Sequence, residues 1–376
     1  MKVYFDNAAT TPLSEDVWKA MEPFYLEHFG NPSSTHSFGR KTKNAIESAR
    51  REIASAMNVL PGQIIFTGSG TEGNNTILSS AVQKGVNHII TSPIEHHAVL
   101  HTLDFLSIKE GIKISKVELD EDGNVNLSSL EQLLKTNSED KKLVSLMHVN
   151  NEIGNILPIS EVVELCHKFN TLFHSDTVQS IGTLPLDLKS TPIDFATCSA
   201  HKFHGPKGVG FMYVKDSSLL ESFIHGGSQE RGHRAGTENV AGIIGMSRAL
   251  KSATENLNKN YDHLTLIRNY FIEKISQIDS NIKVIGNQPP KVSPKILNLC
   301  IPSALVDDML LFNLDLRGIA ASGGSACSSG SNQGSHVINE IKNLRNCLAI
   351  RFSFSKYNTI EEVDYVIAQI KEILKK

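Results

Sequence analysis

The sequence predicts an α/β fold: a mainly parallel sheet with helices on both faces, followed by a smaller α+β domain. Two observations predict this fold. From residue 40 to about 235, short apolar runs alternate with stretches of helical length, which is typical of repeated βαβ units. After about residue 280, apolar and polar residues alternate within short runs, as they do in half-buried strands.

The length of 376 residues exceeds the size at which a single hydrophobic core usually stops growing. We therefore expect two domains. The predicted large domain spans residues 1–255 and the small C-terminal domain spans residues 256–376, with the N-terminal segment 1–15 packing toward the small domain.

Hydrophobic spacing locates the individual elements of both domains. Ile46, Ala49, Ile53 and Met57 recur at helical spacing. The strands of the first domain are predicted at residues 64–66, 88–90, 143–146 and 171–173, with a further strand that ends near Ser199. A long helical region is predicted from 238 to 275, with an interruption near 256–258. The second domain is predicted to contain strands at 282–285, 295–299 and 349–352, and helices near 305–316 and 359–374.

The composition excludes several classes of protein. The net charge of −3 gives no reason to expect a nucleic-acid or membrane partner. No stretch approaches the roughly 20 apolar residues of a membrane-spanning helix, and the first residues contain no apolar run of signal-peptide length. We therefore expect a soluble protein in the cytoplasm.

The five cysteines, Cys166, Cys198, Cys300, Cys327 and Cys347, are scattered and odd in number. This spacing favours neither a disulfide framework nor a zinc knuckle. Four of them lie among apolar residues, where cysteine behaves as a small buried hydrophobic residue. Cys327 differs because it lies in a polar, glycine-rich and serine-rich segment, residues 322–330.

A strand followed by glycines and a helix is predicted at residues 66–72, Phe-Thr-Gly-Ser-Gly-Thr-Glu. Glycine allows the backbone to approach a ligand closely, and a helix N-terminus offers free N–H groups to an anion. Thr71 is expected to cap the helix and to offer its hydroxyl to a phosphate. An ordinary turn and cap has the same appearance, and no Gly-Lys-Ser/Thr follows as in a Walker loop.

Two further strand ends carry polar groups. Asp176 ends the run 171–176, where a carboxylate either caps a helix or holds a ring nitrogen protonated. Lys202 follows the strand that ends at Ser199 and precedes a turn rich in glycine and proline. Such a lysine is either a surface residue or a group that forms an imine with a carbonyl cofactor. Together, an anion-binding loop, a strand-end aspartate and this lysine meet the requirements of pyridoxal phosphate.

With these residues the sequence resembles the fold-type I pyridoxal-phosphate enzymes, and among them the NifS/IscS-type cysteine desulfurases of the class-V aminotransferase family. The resemblance covers nearly the whole chain and rests on seven motifs in one order. They are residues 5–11 (Phe-Asp-Asn-Ala-Ala-Thr-Thr), 29–34 (Phe-Gly-Asn-Pro-Ser-Ser), 95–100 (Glu-His-His-Ala-Val-Leu), 148–154 (His-Val-Asn-Asn-Glu-Ile-Gly), 199–202 (Ser-Ala-His-Lys), 229–239 (Gln-Glu-Arg-Gly-His-Arg-Ala-Gly-Thr-Glu-Asn) and 324–330 (Gly-Ser-Ala-Cys-Ser-Ser-Gly).

The resemblance implies a large domain with a mainly parallel seven-stranded sheet and pyridoxal 5′-phosphate as the cofactor. Lys202 would form the imine and transfer protons, with His96 stacked on the ring as a second acid–base group. Asp176 would pair with the pyridinium nitrogen and Gln179 with the ring-hydroxyl side. The phosphate would be held by Gly70, Thr71, Ser199 and His201, with Thr237 reaching the same phosphate from the other subunit of a homodimer.

For the substrate, the resemblance implies L-cysteine, with Asn31, Asn151 and Arg351 as binding residues, the last two at its carboxylate. Cys327 would attack the substrate's sulfur, releasing L-alanine and leaving a persulfide for a sulfur-acceptor protein. The destination of the sulfur stays open among iron–sulfur cluster assembly, tRNA thiolation, and thiamine or molybdenum cofactor synthesis.

Three alternative functions stay open. A selenocysteine lyase would prefer selenocysteine, and an aminotransferase would not need Cys327. A catalytically silent relative would be expected to have lost some of the residues named above. His97 and His101 are four positions apart on a predicted helix, as two zinc ligands can be. A metal site is nevertheless not expected, because no further ligand is well placed.

Overall fold

The computed structural model describes residues 1–137, 139–306, 309–323, 334–341, 344 and 347–374. The strands are β1 (Val3–Tyr4), β2 (Ile64–Thr67), β3 (His88–Thr91), β4 (Lys113–Lys116), β5 (Lys142–Ser145), β6 (Leu172–Asp176), β7 (Phe195–Ser199), β8 (Gly210–Val214), β9 (Lys283–Ile285), β10 (Ile296–Pro302), β11 (Ile319–Ala320) and β12 (Cys347–Ser353).

The helices of the described residues are α1 (Glu15–Met21), α2 (Pro23–Leu26), α3 (Ser37–Ala56), α4 (Gly70–Gln83), α5 (His97–Glu110), α6 (Leu127–Lys135), α7 (Ile159–Lys168), α8 (Val240–Glu255), α9 (Leu257–Ser276), α10 (Leu310–Leu316), α11 (His336–Asn339) and α12 (Ile360–Ile373). None of these helices is long and apolar enough to cross a bilayer. The predicted interruption of the long helical region is confirmed at Asn256, between α8 and α9.

The first part of the chain forms a seven-stranded sheet with the order β2-β8-β7-β6-β5-β3-β4. Neighbouring strands from β4 to β7 are parallel, and only β8 runs against the others. The sheet is buried on both faces because alternate residues of a strand point to opposite sides: Ile64 and Phe66 pack in one apolar cluster and Ile65 in another. The predicted mainly parallel α/β fold is confirmed.

A second, antiparallel sheet has the order β12-β10-β9 and packs with α9, α10 and α12 around a separate apolar cluster. Strand β1 pairs in parallel with β11, and Phe5 contributes to this cluster by packing edge-on against Phe354. The predicted domain boundary between residues 255 and 256 stays a prediction.

Cys300 on β10 and Cys347 on β12 form a disulfide, with their Cα atoms 5.4 Å apart. The expectation that these two cysteines are separate buried hydrophobic residues was wrong. They are far apart in sequence, and the antiparallel pairing of β10 with β12 makes them neighbours.

The arrangement of the large sheet determines where a ligand site lies. In a parallel sheet the carboxyl ends of the strands meet at one edge, and ligands bind beyond that edge. The segments that follow β2, β3, β5, β6 and β7 therefore approach one another, and they carry most of the polar residues predicted from the sequence.

Candidate active site

Lys202 ends a short 3-10 turn, Ala200–Lys202, that directly follows β7. Its Nζ donates hydrogen bonds to the carbonyl oxygens of Ala8 and Ala9, at 2.6 and 2.8 Å. These contacts hold the amine over the N-terminal segment, with its tip directed into a cavity beyond the sheet edge.

Asp176 lies at the end of β6, next to β7, and is almost fully buried. Its Oδ2 accepts a hydrogen bond from Asn74 Nδ2 at 2.7 Å, and its Oδ1 accepts one from the backbone N–H of Val178 at 3.0 Å. Asn74 is itself oriented by Thr197, whose hydroxyl donates to the Asn74 Oδ1. This network fixes the orientation of the carboxylate toward the cavity.

The loop after β2 brings a helix N-terminus to the same place. Thr67 and Ser199 pair with Gly210 from opposite sides, so the start of α4 lies beside the end of β7. Gly70 is required by close packing, because a Cβ there would come within 2.6 Å of Val178 Cγ2. The resulting anion site combines the free N–H groups at the start of α4 with neighbouring side chains.

The expected role of Thr71 as the cap of α4 was wrong. Ser69 is the N-cap residue, and its hydroxyl accepts a hydrogen bond from Glu72 N at 3.1 Å. Thr71 is instead exposed within the first turn and lines the cavity, so its hydroxyl is left for a ligand.

Gln179 is buried below this cavity and donates through Nε2 to the carbonyl of Ala8 at 2.9 Å. Its Oε1 is buried and has no hydrogen-bond partner among the described residues. Since buried polar atoms are nearly always satisfied, this oxygen indicates that a ligand supplies a donor here.

His96 caps the N-terminus of α5, and its Nδ1 accepts a hydrogen bond from Ala98 N at 3.1 Å. A neutral ring with an accepting Nδ1 carries its proton on Nε2. Burial lowers the pKa of His96; the Asp176 carboxylate opposes this shift and the Lys202 amine adds to it. The ring is therefore a neutral group at physiological pH and can donate from Nε2.

His201 stands beside Lys202, and its Nδ1 lies 3.1 Å from the Thr10 hydroxyl. Burial, together with the charges of Lys202, Lys295 and Lys207, lowers the pKa of His201 to about 3. A histidine held neutral in this way contributes a hydrogen bond and no charge to an anion site.

Arg351 reaches the cavity from β12 and is 1% exposed. Its Nη1 donates to the Asn151 carbonyl at 2.7 Å and its Nη2 to Asp6 Oδ1 at 3.0 Å, while Nε has no partner among the described residues. A buried guanidinium without a full set of partners costs roughly several kcal/mol, so this arrangement favours the binding of an anion.

Ten of the predicted residues line one cavity of about 870 Å³, part of which is open to solvent. They are Gly70, Thr71, His96, Asn151, Asp176, Gln179, Ser199, His201, Lys202 and Arg351. Asn74 and Met147 also line it and were missed, although Asn74 could have been found from its position one helical turn after Gly70.

Two of the predicted residues that the structure describes are not brought into this cavity. Asn31 and Thr237 are exposed in the single chain and do not line it. Cys327 lies outside the described residues. The described residues also contain no group of three potential metal ligands, and the rings of His97 and His101 stack with centroids 4.6 Å apart.

The fold and the cavity define a class of protein, and comparisons with known proteins agree. The family model of class-V aminotransferases matches residues 3–366, and the chain belongs to this family of pyridoxal-phosphate enzymes. Its similarity extends to particular members. It is 43% identical to the cysteine desulfurase IscS of Dictyoglomus turgidum, over 100% of this chain and 95% of the relative. The corresponding protein of Clostridium botulinum strain Hall is 42% identical, over 100% of this chain and 94% of the relative.

A solved structure of a NifS-like protein gives the same result in three dimensions. It superposes with a TM-score of 0.91 at 39% identity, and the match covers 100% of both chains. The chain is thus similar in sequence to these cysteine desulfurases over nearly their whole length and has the fold of the NifS-like protein.

Proposed function

We propose that this chain is a cysteine desulfurase that uses pyridoxal phosphate to convert L-cysteine into L-alanine and leaves the sulfur on Cys327. The observation that carries the proposal is the meeting of Lys202, Asp176 and Arg351 in one cavity. An amine, a carboxylate and a guanidinium at these positions suit an amino-acid substrate and a pyridine cofactor. The relatives reported above are named cysteine desulfurases.

The residues of the cavity fit the cofactor. The N-terminus of α4 with Thr71, Ser199 and His201 would hold the phosphate. The fixed Asp176 carboxylate would pair with the pyridinium nitrogen, and the unpartnered Oε1 of Gln179 would accept from the ring-hydroxyl side.

When bound, pyridoxal phosphate supplies an electron sink for bonds at the substrate's Cα. The nitrogen of Lys202 would bind the cofactor and, when displaced by the substrate, carry protons to and from Cα. The neutral His96 ring would stack on the cofactor and exchange a proton at Nε2 during the early and late steps.

Arg351 and Asn151 would bind the substrate carboxylate. The guanidinium is held in place by the Asn151 carbonyl and by Asp6, and its free Nε points to unused capacity for a bidentate interaction. Asn31 stays a further candidate for substrate binding, on the strength of its motif alone.

Cys327 would act as the nucleophile. Its thiolate would bond to the substrate's sulfur while the carbon–sulfur bond breaks, and the carbon takes up a proton. The balance is L-cysteine plus a Cys327 thiol giving L-alanine plus a Cys327 persulfide. A glycine-rich and serine-rich segment suits a residue that must reach the cofactor and then pass sulfur to another protein.

We further propose that two copies of the chain form the working enzyme, with Thr237 of each subunit binding the phosphate in the other. Thr237 is exposed and does not line the cavity of its own chain, which supports this proposal because an exposed side chain is accessible to a second subunit. Sedimentation should give twice the chain mass of 41.3 kDa, and a monomer with full activity would contradict the proposal.

The proposed compartment is the cytoplasm, and the proposed partner is a sulfur acceptor in iron–sulfur cluster assembly or thiolation.

The proposed reaction is tested by its products. With a reducing thiol present, the protein should release alanine and sulfide from L-cysteine in equal amounts. A strong preference for L-selenocysteine would instead identify a selenocysteine lyase. Amino transfer from cysteine or alanine to a 2-oxo acid would identify an aminotransferase. No reaction with any of these substrates in the cofactor-loaded protein would contradict all three activities.

A further inference from the structure

Lys295 is a buried lysine directly behind the candidate active site. It precedes β10, is 3% exposed, and lines a second cavity that is also lined by Lys202 and His204. Its Nζ donates a hydrogen bond to the carbonyl oxygen of Lys202 at 2.7 Å.

The charges around Lys295 are of one sign. Lys202 and Arg351 are the groups that act on it, and both are cations. The histidines that it influences, His201 and His204, are held neutral mainly by burial. Within the described part of the chain no carboxylate forms an ion pair with Lys295. The Asp6 carboxylate forms its ion pair with the Arg351 guanidinium.

This environment is unusual for a lysine. Burying an ammonium without a counter-ion disfavours its charged form, and nearby cations add to the effect. Burial, with the charges of Lys202 and Arg351, lowers the pKa of Lys295 to about 7. The side chain therefore carries a substantial positive charge at neutral pH and loses it as the pH rises.

We propose that Lys295 is a positioning residue for Lys202. Its Nζ holds the Lys202 backbone by a hydrogen bond to the carbonyl oxygen, and its charge disfavours a proton on the Lys202 nitrogen. This inference rests on the proposed cofactor role of Lys202. A nearby positive charge makes the protonated form of a second amine less favourable. The unprotonated nitrogen is the form that bonds to a carbonyl carbon or accepts a proton from a substrate, so the effect prepares Lys202 for its role.

The proton on the Lys202 nitrogen is observable, because the cofactor bound to Lys202 absorbs at different wavelengths with and without it. The midpoint of this change with pH is the quantity to measure, in the cofactor-loaded protein and without any turnover. We compare native protein with Lys295→Met and Lys295→Gln, which remove the charge, and Lys295→Arg, which keeps it. Lys295→Gln also keeps a donor for the Lys202 carbonyl. Lys291→Met, at an exposed lysine four residues earlier, is the matched control.

The midpoint should rise in Lys295→Met and Lys295→Gln, by up to about one pH unit, the size expected for a full unit charge at an effective dielectric constant of about 20. The rise is smaller where Lys295 has already lost part of its charge, because its pKa is lowered to about 7. Lys291→Met should stay close to native, and Lys295→Arg, which stays charged at every pH tested, should show the native midpoint or a lower one. If one charge-removing variant does not fold, the other still decides the comparison with Lys295→Arg.

Unchanged midpoints in Lys295→Met and Lys295→Gln would overturn the inference, and so would an equal rise in Lys295→Arg. A native protein with no cofactor band would overturn both this inference and the cofactor assignment. A protein with the band and the predicted shift but no alanine release would support the role of Lys295 and contradict the proposed desulfurase reaction. The two failures are therefore distinguishable.

Discussion

Lys202→Ala should abolish alanine and sulfide release and remove the absorbance of the bound cofactor. The substitution deletes the one group that is proposed to bond covalently to the cofactor. Removing such a group lowers the reaction rate on the order of 10³-fold or more. It also removes two hydrogen bonds to the Ala8 and Ala9 carbonyls, so circular dichroism and thermal unfolding are needed to show that the protein is folded. Absorbance and product release are measured on the same preparations.

Lys207→Ala is a suitable control, because Lys207 is exposed and lies only five residues further along the chain. It should keep both the band and the activity. A Lys202→Ala protein with full activity would contradict the whole cofactor assignment, including the roles of Asp176 and Gln179.

Cys327→Ala should abolish release of alanine and sulfide while the cofactor band stays at its native intensity. The reason is that the cofactor site uses other residues, whereas the sulfur has no acceptor without the thiol. The measurement is product release under a reducing thiol, alongside the absorbance spectrum. This pair of results separates the loss of a nucleophile from the loss of the cofactor.

Cys166 provides a matched control for the thiol. It is fully buried, and burial, with a contribution from Asp194, raises its pKa to about 12, so it forms no thiolate at neutral pH. Cys166→Ala should keep its activity once corrected for the amount of folded protein. If Cys327→Ala released alanine and sulfide at the native rate, this cysteine would have no catalytic role. An aminotransferase would then be the better interpretation.

Much of the fold could be predicted because its signals are local. Apolar runs located β2, β3, β5 and β6, and helical spacing located α3. Strand β4 was missed because Lys113–Lys116 is polar at both ends and lies at the edge of the sheet. The apolar strand β8 was missed because it follows a glycine-rich turn, and its place in the sheet depends on pairing with the distant β2 as well as with the preceding β7.

Most residues of the site could be predicted from the sequence, but the hydrogen bonds between them could not. Motifs indicated Asp176 and Lys202, but the contact of Asn74 with Asp176 joins residues 102 positions apart and has no local signal. The cap of α4 was wrongly assigned to Thr71 because two hydroxyl residues, Ser69 and Thr71, lie close together where the helical run begins, and only Ser69 precedes it. Lys295 was also missed, since its importance arises from burial against Lys202 and from no feature of the sequence around it.

The most direct test of the central claim is the location of the sulfur after a single turnover. The protein is reacted with one equivalent of L-cysteine in the absence of reducing thiol. The mass of the peptide that contains Cys327 is then measured by mass spectrometry, and the released alanine is quantified. The account predicts one alanine per chain and a Cys327 peptide heavier by one sulfur atom, with a reducing agent restoring its mass. Alanine release with an unmodified Cys327 peptide, or with the sulfur on another cysteine, would contradict it.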